Sequence, residues 1–122
     1  MPQTWCFYYI NYCHQARPTP KPKFVAIVCI DNEYMVFFID SRIHIYIRNK
    51  PQLMACQVLI KQADYRFLSH DSYIDCSDLI EFNSFDLVDP RDSISSKTKK
   101  AIQRAVSNAK TISTYYKRLI TQ

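Results

Sequence analysis

The sequence predicts a mainly β protein of the α+β class, a small barrel of five to six antiparallel strands with one or two C-terminal helices packed on it. Short segments rich in aromatic and β-branched residues recur through roughly the first 80 residues, between turn-forming residues. After Pro90 the apolar residues follow helical spacing instead. With 122 residues, 48% of them hydrophobic, the chain suits one domain. We expect the barrel at about 4–82 and the helical part at about 93–121.

The first three strands are predicted from composition. Residues 4–12, TWCFYYINY, have the aromatic and β-branched content of a strand. Residues 14–23 contain three prolines, which exclude a helix or a central strand and predict a loop. The apolar runs 24–30 and 34–39 are too short for helices and flank a turn signal at Asp31-Asn32, so they predict a buried hairpin.

The later elements are predicted from periodicity. Residues 43–47, IHIYI, alternate strictly and predict a half-buried strand, and further strands are expected at 55–60 and 74–82. Serines at the start of the helical part supply caps, and the basic segment that follows is amphipathic. Residues 111–114, TIST, have poor helix propensity and predict a break between two helices.

Composition excludes several classes of function. The chain has no glycine, so a phosphate-cradling loop of the nucleotide-binding folds is excluded and no cofactor is expected. Five cysteines without a Cys-x-x-Cys pair favour buried, reduced thiols. His14, His44 and His70 lack metal-ligand spacing, so no metal is expected, and structural or solvent roles are favoured for the latter two. Without a long apolar run or a basic leader, we expect a cytoplasmic protein with no membrane partner.

Charge is segregated along the chain. Residues 1–63 carry seven basic and three acidic residues, 64–90 carry one and seven, and 91–122 carry eight and one. The net charge of +5 therefore includes two basic ends, which favour a polyanionic partner, although a basic helix is more often a solvated face.

The proline-rich loop carries a candidate phosphate site. Its basic residues lie on a segment stiffened by alternating prolines, which lowers the entropic cost of holding them in place. They are His14, Arg17, Lys21 and Lys23. The alternative, at nearly even odds, is a soluble loop that protects an aggregation-prone strand.

Four short motifs in this order resemble a known family. They are KPKFVAIV, FFIDS, FLSHDSYIDCSDLIEF and ISTYYKRLI. Together they resemble the PemK-like branch of the MazF/PemK/CcdB group of type II bacterial toxins, from the first strand to the C-terminal helix. The resemblance implies an SH3-like barrel, usually homodimeric, that cuts single-stranded RNA without a metal and is neutralised by an antitoxin protein.

The resemblance also implies roles for individual residues. Lys21, where the family has an arginine, would stabilise charge on the phosphate, and Ser41 would orient it. His14 is the predicted proton-transfer partner. Further contacts to RNA are expected from charged or aromatic side chains of the loop and the following strands. They are Arg17, Lys23, Arg42 and Tyr46.

Two other functions stay open at this point. A non-catalytic SH3-like barrel could bind a protein or a nucleic acid, as an inhibitor from a phage or mobile element would, and the lysine in place of the family's arginine favours it. Non-specific binding of nucleic acid by the basic C-terminal helix is the third hypothesis, and it predicts a steep dependence on salt.

Overall fold

The computed structural model describes residues 1–122 and contains seven strands and four helices. The strands are β1 (Cys6–Cys13), β2 (Lys21–Asp31), β3 (Glu33–Asp40), β4 (Gln57–Ile60), β5 (Ser72–Asp75), β6 (Ile80–Phe82) and β7 (Pro90–Ser93). The helices are α1 (Ile45–Arg48), α2 (Pro51–Met54), α3 (Ser96–Asn108) and α4 (Thr114–Thr121). No helix is both long enough and apolar enough to cross a membrane.

All seven strands form one antiparallel sheet that curls into a half-barrel. The strand order is β4-β5-β3-β2-β1-β7, and β6 pairs with the other end of β3. The predicted hairpin is β2 and β3, with Asn32 at a φ of 63° in its turn. Asparagine tolerates this left-handed backbone better than most residues, which suits a chain without glycine.

Both faces of the central strands are buried, which explains their continuous apolar sequences. Ala26 and Val28 of β2 face a cluster that includes the helices, through Ile102 and Ile120. Val25, on the opposite face, belongs to a second cluster. Burying both faces needs apolar residues at successive positions rather than alternation. All five cysteines are buried in these two clusters and none forms a disulfide, as the sequence predicted.

The two long helices begin at serines, which cap them. Ser95 Oγ accepts a hydrogen bond from the Thr98 amide, and Ser113 Oγ accepts one from the Tyr116 amide. The buried Tyr65 hydroxyl joins α3 to the barrel, because it donates to Thr98 Oγ1 at 2.7 Å and lies 3.0 Å from Ser95 Oγ. The helices are separated at 109–113, which confirms the predicted break.

The fold class is confirmed, but several predicted elements were wrong. Residues 43–47 form no strand: His44 caps α1 by accepting the Tyr46 amide, and Ile45 is 68% exposed. The alternation therefore did not reflect a sheet face. Residues 21–23 belong to β2 rather than to the loop.

The predicted last strand, 74–82, is two strands. Asp75 accepts hydrogen bonds from the amide and the hydroxyl of Ser77, which turns the chain between β5 and β6. β7 was not predicted; its first residue is Pro90, and a proline is tolerated at the start of an edge strand.

Candidate functional site

Antiparallel pairing brings three separate segments together at one end of the sheet. Because β2 begins where β3 ends, Phe24 pairs with Ile39 and the start of β2 lies beside the end of β3. Asp40 in turn pairs with Tyr73 at the start of β5. The residues just outside these strand ends therefore surround a common space.

This space is a cleft of about 890 Å³, called here the cleft. Its polar and charged lining comes from the loop before β2 and the first residues of β2, from the end of β3 and the bend after it, and from the segment around β5. These residues are Gln15, Arg17, Lys21, Lys23, Asp40, Ser41, Arg42, His44, Ser69, His70, Ser72, Asp75 and Asp78. Tyr9, Phe24 and Phe38 are its aromatic lining.

Three cations of the cleft have no carboxylate partner. Arg17, Lys21 and Arg42 are exposed, and none of them forms a salt bridge. Arg17 donates one hydrogen bond, to the carbonyl of Gln15 at 3.5 Å, which keeps it beside the loop. Unpaired cations in a concave surface attract anions, so the cleft is suited to phosphate groups.

Lys23 differs from these three because its charge is already balanced. Its ammonium forms an ion pair with Asp40 and lies 5.0 Å from the centroid of the Phe38 ring. Only 10% of the Lys23 side chain is exposed. A ligand would have to compete with Asp40 for this charge, so Lys23 contributes less attraction for an anion than its position in the sequence indicated.

Ser41 lies in the bend after β3, between Asp40 and Arg42 in the sequence. It is the first residue after β3, its side chain is exposed, and its hydroxyl makes no hydrogen bond within the protein. A free hydroxyl next to cations can donate to a phosphate oxygen.

Two histidines line the cleft, and neither is the one predicted for proton transfer. Nδ1 of His44 accepts the Tyr46 amide at 3.1 Å, so in this capping arrangement Nε2 carries the proton of the neutral ring. Nδ1 of His70 lies 3.4 Å from Ser72 Oγ, and that hydroxyl also donates to the His70 carbonyl at 3.1 Å. His14 does not line the cleft; its ring packs against Tyr12 at 4.7 Å.

A second cavity, called here the side pocket, opens beside the cleft. It has a volume of about 660 Å³, and Ile47, Asp75 and Asp78 line both cavities. Its other residues come from β3, the α1–α2 segment, the turn after β5, the α3–α4 connection and α4. They are Met35, Tyr46, Leu53, Ser77, Leu79, Thr111, Ile112, Ser113 and Tyr116.

The two shared carboxylates differ in their hydrogen bonding. Oδ1 of Asp75 accepts from Gln57 Nε2 and from the Ser77 amide. Asp78 accepts no hydrogen bond within the protein, and its pKa is raised by partial burial and by the charge of Asp75. Asp78 is therefore the carboxylate that is free to accept from a ligand.

Five of the seven predicted site residues line the cleft. Tyr46 lines the side pocket instead. His70 was not predicted as a site residue, because a histidine in a turn can simply cap that turn. Its segment, FLSHDSYIDC, was nevertheless among the motifs of the resemblance. The two shared aspartates were not predicted either, because they were interpreted as ordinary turn residues of an acidic surface.

Neither metal chemistry nor a relative is indicated. No group of three or more His, Cys, Asp or Glu side chains is arranged to hold a metal ion. No protein-family model matches the chain, and no curated protein is significantly similar to it in sequence. The residues of the cleft itself supply cations for an anion, a hydroxyl donor and two imidazoles.

Proposed function

We propose that the protein is an RNA-binding endoribonuclease that cuts single-stranded RNA without a metal ion, as the resemblance to PemK/MazF-like toxins implies. The observation that carries the proposal is the convergence of three unpaired cations, a free hydroxyl and two imidazoles on one cleft. They are Arg17, Lys21, Arg42, Ser41, His44 and His70.

The cleft favours a single strand over a duplex. Cations at its rim provide sequence-independent attraction for the phosphates, and the aromatic rings Tyr9 and Phe24 at its wall can contact unstacked bases. Bases in a duplex are stacked on each other and present no free faces.

The proposed reaction uses the RNA's own 2′-hydroxyl as nucleophile. A base takes the 2′-hydroxyl proton, the 2′-oxygen attacks phosphorus, the bond from phosphorus to O5′ breaks, and an acid returns a proton to O5′. The products are a 2′,3′-cyclic phosphate and a 5′-hydroxyl. Lys21 would neutralise charge that develops on the phosphate, and Ser41 would donate to a non-bridging oxygen.

His70 is the better candidate for proton transfer than His14. His70 lines the same cleft as Lys21 and Ser41, whereas His14 packs outside it against Tyr12. A general base has to reach the proton that it takes, so position within the cleft decides between the two.

Cleavage of a mixed-sequence single-stranded RNA, assayed with a chelator present, tests the proposal. The native protein should yield fragments with cyclic phosphate ends, and Lys21→Ala, Ser41→Ala and His70→Gln should each slow cleavage at least 100-fold. Lys61→Ala and His14→Gln are the matched controls outside the cleft. Intact RNA with the native protein at high concentration, together with equal bacterial growth with and without its expression, would refute the nuclease.

A non-catalytic binding module is the second candidate. Two carboxylates of the same cleft, from Asp75 and Asp78, have no cation partner; they oppose a negatively charged transition state and therefore favour a binding module. RNA bound with a salt-dependent affinity but recovered uncut, or a stable protein partner from a pull-down, would support this candidate.

Partners follow from the proposed toxin role. An antitoxin protein should neutralise the toxin, and the family precedent implies a homodimer. Light scattering of the purified protein tests the dimer directly. Co-purification of a small protein encoded by the neighbouring gene tests the antitoxin.

A further inference from the structure

The side pocket adjoins the cleft in which we propose that the phosphate binds. The two cavities share Ile47, Asp75 and Asp78, so one nucleotide can reach both without a break in the surface. The charge changes along this path, from the unpaired cations at the rim of the cleft to the two carboxylates at the junction. A phosphate is attracted to the first and repelled by the second, which orients the nucleotide.

We propose that the side pocket binds a guanine of the bound strand, with the Asp78 carboxylate accepting hydrogen bonds from guanine N1–H and the N2 amino group. This inference rests on the proposed binding of single-stranded RNA in the cleft. It adds a preference for guanine in the bound RNA and identifies Asp78 as the residue that recognises this base.

The hydrogen-bonding pattern of Asp78 selects guanine among the four bases. An ionised carboxylate has only acceptors, and guanine presents two adjacent donors on its Watson–Crick edge, so the pair forms two parallel charge-assisted bonds. Adenine and cytosine offer one amino donor next to a ring acceptor, which the second carboxylate oxygen repels. Uracil offers one N–H between two carbonyl oxygens. Asp75 is less suited to this role because its Oδ1 already accepts from Gln57 and Ser77.

The rest of the pocket suits a flat aromatic ligand. Tyr46 lines the pocket and is 60% exposed. The Lys50 ammonium lies over one face of its ring, 4.7 Å from the ring centroid. The pocket also has apolar lining, which includes Met35, Leu79 and Ile112. An aliphatic ligand would leave the carboxylates unpaired, and a phosphate would be repelled by them, so a base with donor groups is the better match.

Affinities for three short oligonucleotides test the inference, all with 2′-O-methyl sugars so that none can be cut. One contains only uridine, the second has a single central guanosine, and the third has inosine at that position, which keeps N1–H but lacks the N2 amino group. At one fixed salt concentration, the native protein should bind the guanosine oligomer at least tenfold more tightly than the inosine oligomer, since a hydrogen bond to a charged group contributes about 1.5 kcal/mol or more.

Asp78→Asn should abolish this difference, because a carboxamide has only one acceptor oxygen and its amino group would face one of the two guanine donors. Asp64→Asn, an exposed aspartate outside both cavities, is the control and should retain the preference. If the native protein binds the uridine oligomer but does not distinguish guanosine from inosine, only the guanine pocket is refuted. If it binds none of the oligomers, the proposed function and this inference both fail.

Discussion

The salt dependence of the proposed RNA binding provides a quantitative test of the role of the cleft. Three of its cations are unpaired, namely Arg17, Lys21 and Arg42. Each phosphate neutralised on a single strand contributes a slope of about −0.7 to the plot of log affinity against log salt. The native protein should therefore show a slope of about −2, which corresponds to a roughly 20-fold loss of affinity between about 50 and 200 mM salt.

Variants of these cations should reduce the slope in steps. Each single substitution to alanine should lower its magnitude by about 0.7, and the triple variant should bind with almost no salt dependence. The double variant Lys23→Ala/Asp40→Ala removes an ion pair without changing net charge, so its slope should equal that of the native protein. Fluorescence anisotropy of a labelled, non-cleavable oligonucleotide at four or more salt concentrations measures all of these slopes.

The same assay separates the cleft from the C-terminal helix. Lys97, Lys100 and Arg104 on α3 are exposed and lie outside the cleft, so their triple alanine variant should keep the native slope. If that variant loses the salt dependence while the cleft variant retains it, the basic helix is the binding surface and the reasoning about the cleft is refuted.

Two further predictions concern stability. Tyr65→Phe should lower the free energy of unfolding by about 1–3 kcal/mol, because the buried hydroxyl contacts Thr98 Oγ1, Ser95 Oγ and the Ser95 amide. Urea denaturation measures this change, and Tyr12→Phe, at an exposed tyrosine, is the near-neutral control. Burial raises the pKa of the Cys29 thiol to about 11, so its neutral form stabilises the fold fully below about pH 9, and stability on the order of 3 kcal/mol is lost as pH rises towards 11. Urea denaturation across this range should show a smaller loss for Cys29→Ala, and an equal loss would contradict the assignment.

The sequence was sufficient for the elements whose signals are local. The hairpin of β2 and β3 was predicted because two apolar runs flank Asp31 and Asn32, and the helix break was predicted from the weak propensity of TIST. The segment IHIYI was misread because alternation describes only the spacing of apolar residues. The hydrogen bond from the Tyr46 amide to His44, which favours a helical turn, does not appear in a hydrophobic pattern.

The site was partly predictable for a similar reason. Lys21 and Ser41 were predicted because their positions match the motifs of the resemblance, and antiparallel pairing of β2 with β3 brings them to one cleft. His70 and Asp78 join them only through the pairing of β3 with β5 and the turn that follows, which depends on long-range register. The ion pair of Lys23 with Asp40 likewise depends on how β2 and β3 align. A count of charges in the sequence therefore treats Lys23 as an unpaired cation, although its charge is balanced.

The short helices α1 and α2 form a wall of the side pocket and bury no residue completely. The barrel core is built almost entirely from other segments, so substitutions in this wall remove little apolar burial. Residues such as Tyr46 and Leu53 can therefore be exchanged with small effects on folding while the shape of the pocket changes. This wall of the side pocket is therefore largely independent of the core that keeps the protein folded, which makes the 45–54 segment a place where the shape of the pocket can be changed by evolution or engineering.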